Sequence, residues 1–277
     1  MPVKRITHPE TGQVVYLGRN RPPVGRPRLR IRDYIKLSVL PTPPATFDYS
    51  PAAMASLSRI YFNDRLGDCV IAWLAHLIGV LTGNGTGNPF LFTDDQIVAL
   101  YSAIGGYVPG NPSTDNGCDE WTALEYLKTT GAPAGQNQDV AAVSVDGSNP
   151  SEYLAALWLL ENLMYGVELP DAWISPFPSA PGFVWDVAGD ADPQNGHCFG
   201  AVGATPAGLK ISTWGMLGMI TPAATAKYAT TAGSGELYAV LSQEVLQRAT
   251  DKSPSGVDWE HLVADVNAMG GNLVLPA

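Results

Sequence analysis

The chain has 277 residues, 45% hydrophobic and only 15% charged, which excludes wholesale disorder and allows one large domain or two modest ones. Gly and Pro number 29 and 23, which excludes a coiled coil or a long helical bundle and points to a loop-rich globular protein. The net charge of −10 is unevenly placed, because residues 1–36 hold nine bases against two acids and are net +7.

A basic arm on an acidic body is the largest-scale feature of the sequence. No apolar run approaches the ~18 residues of a membrane span. The N-terminus MPVKRITHPETG lacks the apolar segment of a secretory signal. Three cysteines cannot build a disulfide framework, so the expectation is reduced thiols in a cytoplasmic protein.

In chain order, residues 1–48 read as an extended arm. Pro22, Pro23 and Pro27 fix φ and bias their predecessors to extended geometry, so no helix fits there. Leu29 and Ile31 alternate with Arg28, Arg30 and Arg32 as in one short strand. Two readings of the arm stand: it grips an acidic partner or nucleic acid, or it straps the protein's own acidic body. From Asp68, as N-cap, a helix runs through CVIAWLAHLIGVL and ends among Gly83, Gly85 and Gly87. A second starts at Thr93, where Thr93 and Gln96 make a capping box and Asp94 and Asp95 suit the helix dipole. A third follows DNGCDEW and stops at Gly131; a fourth starts near Ser151. After Gly166 short apolar runs punctuated by Gly and Pro read as strands, with ATPAGLKIS as a hairpin. A last helix spans about 258–269. The order is α+β: a basic arm (1–48), a helical part (49–165), a β-rich part (166–250) and a C-terminal helix and tail (251–277).

The chemistry starts at Cys69. A thiol at a helix N-terminus meets the positive end of the dipole, which favours thiolate; the neighbouring Asp68 works against it. Core filling is the plainer use of such a cysteine. A thiolate nucleophile needs a base. Of four histidines, His8 is in the arm, His76 lies two turns along the Cys69 helix, and His261 is on the last helix. His197, at the start of a strand, is the natural partner.

A cysteine at a helix start followed by a histidine at a strand start is the order of papain-like cysteine peptidases. Further segments carry the resemblance. Asn63 stands six residues before Cys69 in NDRLGDCVIAW, where the papain-like pattern has a Gln that helps form the oxyanion hole. LKISTWG resembles the N-S-W-G that follows the histidine by one hairpin. DNGCDEWTALEYLKTTGAP and YGVELP resemble the helix-leading turn and the strand before the histidine loop. The whole pattern is similar to uncharacterised papain-like proteins of bacteriophages and prophages.

The resemblance implies a helical subdomain packed against a β-barrel-like antiparallel subdomain. Cys69 is then the nucleophile, His197 the base, and Asn63 with the Cys69 N–H the oxyanion donors. The residue that orients His197 is Ser212 if Trp214 anchors the count and Thr213 if His197 does; Trp214 would shield that contact or be a plain core aromatic. The sequence departs from the family in the hydroxyl that replaces Asn, in Asn63 for Gln, and in Val70 for an aromatic. A family cysteine at the position of Cys118 bridges to one near the nucleophile; Leu66 and Gly67 stand there instead, so Cys118 and Cys198 are expected free and buried.

Asp115, Asn116, Asp119 and Glu120 lack calcium-loop spacing and read as a polar turn and helix start. Asp186, Asp190 and Asp192 read as a solvated loop, with the alternative that one orients His197. GNGTGN lacks the strand–helix setting of a dinucleotide site, and no zinc spacing occurs. No cofactor is expected. The basic arm lacks interleaved aromatics beyond Tyr16 and Tyr34, which argues against nucleic acid. Two functions remain: a cysteine hydrolase acting on a peptide or amide, or a weak or inactive papain-like scaffold held in a virion or other assembly through residues 1–48.

Overall fold

The arm is built from short paired pieces. In the computed structural model, which describes residues 3–26, 28–132 and 140–276, β1 (Lys4–Thr7) and β2 (Val14–Leu17) form an antiparallel hairpin. Alternation puts Val15 and Leu17 in the core. Pro27 of the arm and residues 133–139 lie outside the described residues. The expected strand near Leu29 is β3 (Leu29–Arg30), and Ile31 already belongs to a 3-10 turn. β4 (Phe47–Asp48) and the short α1 (Met54–Leu57) lead into the body.

The long central helix α2 (Cys69–Thr86) is closed by Gly87 in the left-handed region. Its mean hydropathy of 1.4 over 18 residues makes it long and apolar enough to cross a membrane, which corrects the reading that no such run exists. The polar residues near its end had hidden the length. In the fold 78% of it is buried, as a helix apolar all round must be. Asp68 takes the N-cap position by backbone, but its side chain makes no cap hydrogen bond. It turns instead toward Asn63, a correction to the simple capping role.

α3 (Asp94–Gly105) carries the expected capping box. α4 (Glu120–Thr130) is capped by Asp119, whose Oδ1 accepts from Thr122 N at 2.9 Å. β5 (Ala141–Ser144) precedes α5 (Pro150–Leu160), with Asn149 as cap and Pro150 in the first turn. Then come β6 (Leu163–Glu168), β7 (Val184–Trp185), β8 (Gly196–Thr205), β9 (Gly208–Thr213) and β10 (Met216–Ile220). α6 (Pro222–Tyr228), β11 (Glu236–Leu241), α7 (Gln243–Lys252) and α8 (Trp259–Ala268) complete the chain. Sequence reasoning passed over α7. Ser242 caps it and Val245, Leu246 and Ala249 face the core, a stripe too short to stand out beside the strand before it.

The main sheet runs β3-β5-β11-β6-β8-β9-β10-β7, with β4 also on β8. Its middle is antiparallel, and the predicted hairpin is β8 and β9, closed at Thr205 and Gly208. The edges differ from an all-antiparallel expectation: β3 pairs parallel to β5, and β7 parallel to β10. β3, β4 and β5 also cross the expected boundary near residue 165, because edge positions of a sheet accept strands from distant sequence. α2 packs against β8, with Trp73 and Phe199 both fully buried.

The arm straps the body. Arg21 Nε meets Glu168 Oε1 at 2.5 Å, Arg28 meets Glu236 at 2.5 Å, and Arg32 meets Asp146 at 2.8 Å. These pairs match the reading in which the arm covers the protein's own acidic body.

Candidate active site

Cys69 opens α2, and His197 is the second residue of β8. Both are 1% exposed. With Asn63, Trp73, Ser212, Thr213 and Trp214 they line one small cavity of about 10 Å³, space for one water at most. Thus the α-rich and β-rich layers bring the two predicted side chains to one place.

The geometry decides between the two hydroxyls. Thr213 Oγ1 lies 2.8 Å from His197 Nε2. Ser212 Oγ is buried without a hydrogen-bond partner among the described residues. The strand alternates its faces, so one of two neighbouring residues meets the imidazole. The nitrogen engaged is Nε2, and Nδ1 has no hydrogen-bond partner among the described residues. Trp214, with φ of 50°, stacks on the imidazole at 4.7 Å and 27°. It shields the contact as expected.

The three acids before His197 do not orient it. Asp186 accepts from Thr221 Oγ1, Asp190 pairs with Lys227 at 3.3 Å, and Asp192 accepts from Gln194 N. Of the other histidines, His8 Nδ1 accepts from Glu10 N and His261 faces Asp265, while His76 lines the same cavity and packs on Tyr61 and Trp73. Asp115 accepts from Gly67 N and Tyr101 OH, so it is a tie between loop and helix. All three cysteines are free and buried.

Asn63 is committed in three directions. Its Nδ2 lies 3.0 Å from Tyr16 O, 3.1 Å from Leu66 O and 3.3 Å from Asp68 Oδ1. Burial pushes the Asp68 carboxyl well above the usual range, against the hydrogen bond from Asn63.

Sequence reasoning did not foresee what fills the cleft. Residues 18–20 of the arm pass directly over the cysteine. Arg19 N donates to Gly196 O at 3.1 Å, Cys118 N donates to Gly18 O at 3.1 Å, and Asn20 N donates to Cys118 O at 2.9 Å. A Cβ at Gly18 would overlap the Gly67 carbonyl, so only glycine allows this approach. The signal available was the small residue between Leu17 and Arg19, directly after a strand. Arg19 drops its side chain inward, where its Nε meets Glu120 Oε1 at 2.9 Å, both groups essentially unexposed.

This closure sets the electrostatics. Burial pushes the Cys69 thiol up to about 12, although the backbone of Gly18 and of Cys198 hydrogen-bonds the sulfur and pulls it down. Burial also pushes His197 down to about 3. The expected thiolate is therefore absent from this closed form: the pair is a neutral thiol and a neutral imidazole.

No protein-family model matches the chain, and no curated protein matches it in sequence. Solved structures do match in shape. Xylellain, a cysteine protease from Xylella fastidiosa, superposes with a TM-score of 0.60 at 15% identity, over 86% of this chain and 98% of its own. The proCathepsin B S9 of Trypanosoma congolense superposes with a TM-score of 0.55 at 11% identity, over 80% and 85%.

The chain has the papain-like fold. The α+β expectation and its two-layer arrangement therefore hold. Cys69 stands at the start of a helix and His197 near the start of a strand, as expected from the sequence.

Proposed function

We propose that the protein is a papain-like cysteine peptidase, held here in a latent form by its own arm. The observation that carries this is the assembly of Cys69, His197 and Thr213 around one cavity, with His197 Nδ1 left unpartnered.

When the arm leaves, water re-enters and both pKa displacements relax, since burial causes them. The Cys69 S–H proton then passes to His197 Nδ1. The thiolate attacks the peptide carbonyl carbon, and the carbonyl electron pair moves to oxygen. Asn63 Nδ2–H, released from Tyr16 O, and the Cys69 N–H hold that oxyanion. His197 returns the proton to the departing amine, leaving a thioester. Water, deprotonated by His197, hydrolyses the thioester and restores the thiol. Thr213 keeps the imidazole plane in register throughout.

The alternative, a phage-type scaffold tethered through residues 1–48, gains less support. Arg19, Arg21, Arg28 and Arg32 are each paired with an acid of the same chain, even where, as at Arg21 and Arg32, the side chain stays half exposed.

Iodoacetamide labelling at neutral pH tests the peptidase reading in the full chain carrying Gly18→Ala, which lifts the arm. Cys69 should label first, and His197→Ala should abolish its advantage. Equal labelling of Cys69 and Cys118, indifferent to His197→Ala, defeats the reading.

A further inference from the structure

We infer that Glu120 is the specificity-determining residue of the cleft, selecting peptides that place an arginine or lysine side chain in the pocket beside Cys69. This rests on the peptidase reading above, and it names the substrate class of that site.

Glu120 is 0% exposed at the first turn of α4. A buried carboxylate needs a partner, and Arg19 provides one through Nε only. Arg19 Nη1 instead reaches Ser234 O at 3.4 Å, and Glu120 Oε2 has no hydrogen-bond partner among the described residues. The pocket thus holds more acceptor capacity than the arm uses. A guanidinium seated bidentately would take both oxygens.

The space for the carboxyl depends on one small residue. A Cβ at Gly166, on β6, would collide with the Glu120 carboxylate. Glu236 adds a second negative charge felt by Arg19. Cys198, on β8, brings the pocket next to His197. Position follows from the arm: Gly18 lies over the Cys69 sulfur and Arg19 is the next residue. A side chain in this pocket therefore belongs to a residue within one or two positions of the carbonyl that Cys69 would attack. Arg19 fills the pocket in the closed form.

The test vacates the pocket and asks for a guanidinium back. In full-length Arg19→Gly, ethylguanidinium should raise Tm saturably, by roughly 2–4 °C at tenfold over its Kd, beyond equal sodium chloride. Butylammonium should act more weakly, and Arg19→Gly/Glu120→Gln should not respond. Gly18→Ala, with Glu120 intact and the arm displaced, provides the second measurement: benzoyl-arginine amide should bind and benzoyl-leucine amide should not. Rescue that persists with Glu120→Gln, or no rescue and no arginine preference in either variant, overturns the inference. The stability readout needs no turnover, so it still decides the pocket if Cys69 proves unreactive.

Discussion

Thr213 Oγ1 holds His197 Nε2 at 2.8 Å under the indole of Trp214, leaving Nδ1 as the only ring nitrogen open to a proton from Cys69. Neighbouring strand residues face opposite ways, so the hydroxyl of Ser212 cannot share this duty. Thr213→Val keeps the shape and removes the bond. In the Gly18→Ala background it should slow Cys69 alkylation about ten- to a hundredfold, below most of the ~10²–10⁴-fold of a general base because the imidazole itself remains. Thr213→Ser should recover most of the rate. Equal rates for Val and Ser would remove Thr213 from the mechanism.

The arm's docking depends on a backbone approach that tolerates no side chain at residue 18. Gly18→Ala should raise the alkylation rate of Cys69 at least tenfold, while circular dichroism stays that of the wild type. Arg19→Ala should act in the same direction, since it leaves Glu120 buried without its cation. A loss of that kind costs several kcal/mol, with 3–5 expected for a fully buried pair, about enough to shift the arm. Unchanged thiol accessibility in both variants would mean that the arm does not gate the cleft.

Acid sensitivity should trace to buried histidines. Burial lowers His76 to about 3, opposed only by a backbone hydrogen bond at Ser56. A histidine with a depressed folded-state pKa takes up its proton first in the unfolded chain. Stability from this group is full above pH 6.5 and falls as pH drops toward 3, with a slope of up to ~1.4 kcal/mol per pH unit. His76→Phe, which keeps the packing on Tyr61 and Trp73, should flatten the urea-unfolding free energy between pH 6 and 4 relative to wild type. Parallel pH profiles for the two proteins would refute the assignment.

Glu161 ends α5 and gathers two cations from α7. Arg248 donates to both its oxygens, at 2.9 and 2.6 Å, and Lys252 reaches Oε1 at 2.9 Å. Although burial alone would raise the Glu161 pKa, these cations hold it below the usual range. Glu161→Ala should lower unfolding stability by about 2–4 kcal/mol, since the cations keep some water contact. Cys69 reactivity should stay at the wild-type level, because the site lies elsewhere. A neutral effect on chemical denaturation would show that α7 is held by its apolar face alone.

Much of this protein was legible in its residues one at a time. Thr93 with Gln96 marked a capping box, ATPAGLKIS marked the β8–β9 hairpin, and Cys69 and His197 stood out because few residues can be a nucleophile or its base. Such signals are local: they depend on i to i+3 hydrogen bonds, on alternation and on intrinsic chemistry. What the tertiary structure alone decided are matters of pairing across distance. Thr213 rather than Ser212, a neutral thiol rather than a thiolate, and Gly18 over the sulfur with Arg19 in the acid pocket all arise from surfaces brought together by burial. Strand-edge pairing and desolvation depend on which partner arrives, and no local pattern in the arm records that its partner is the cleft.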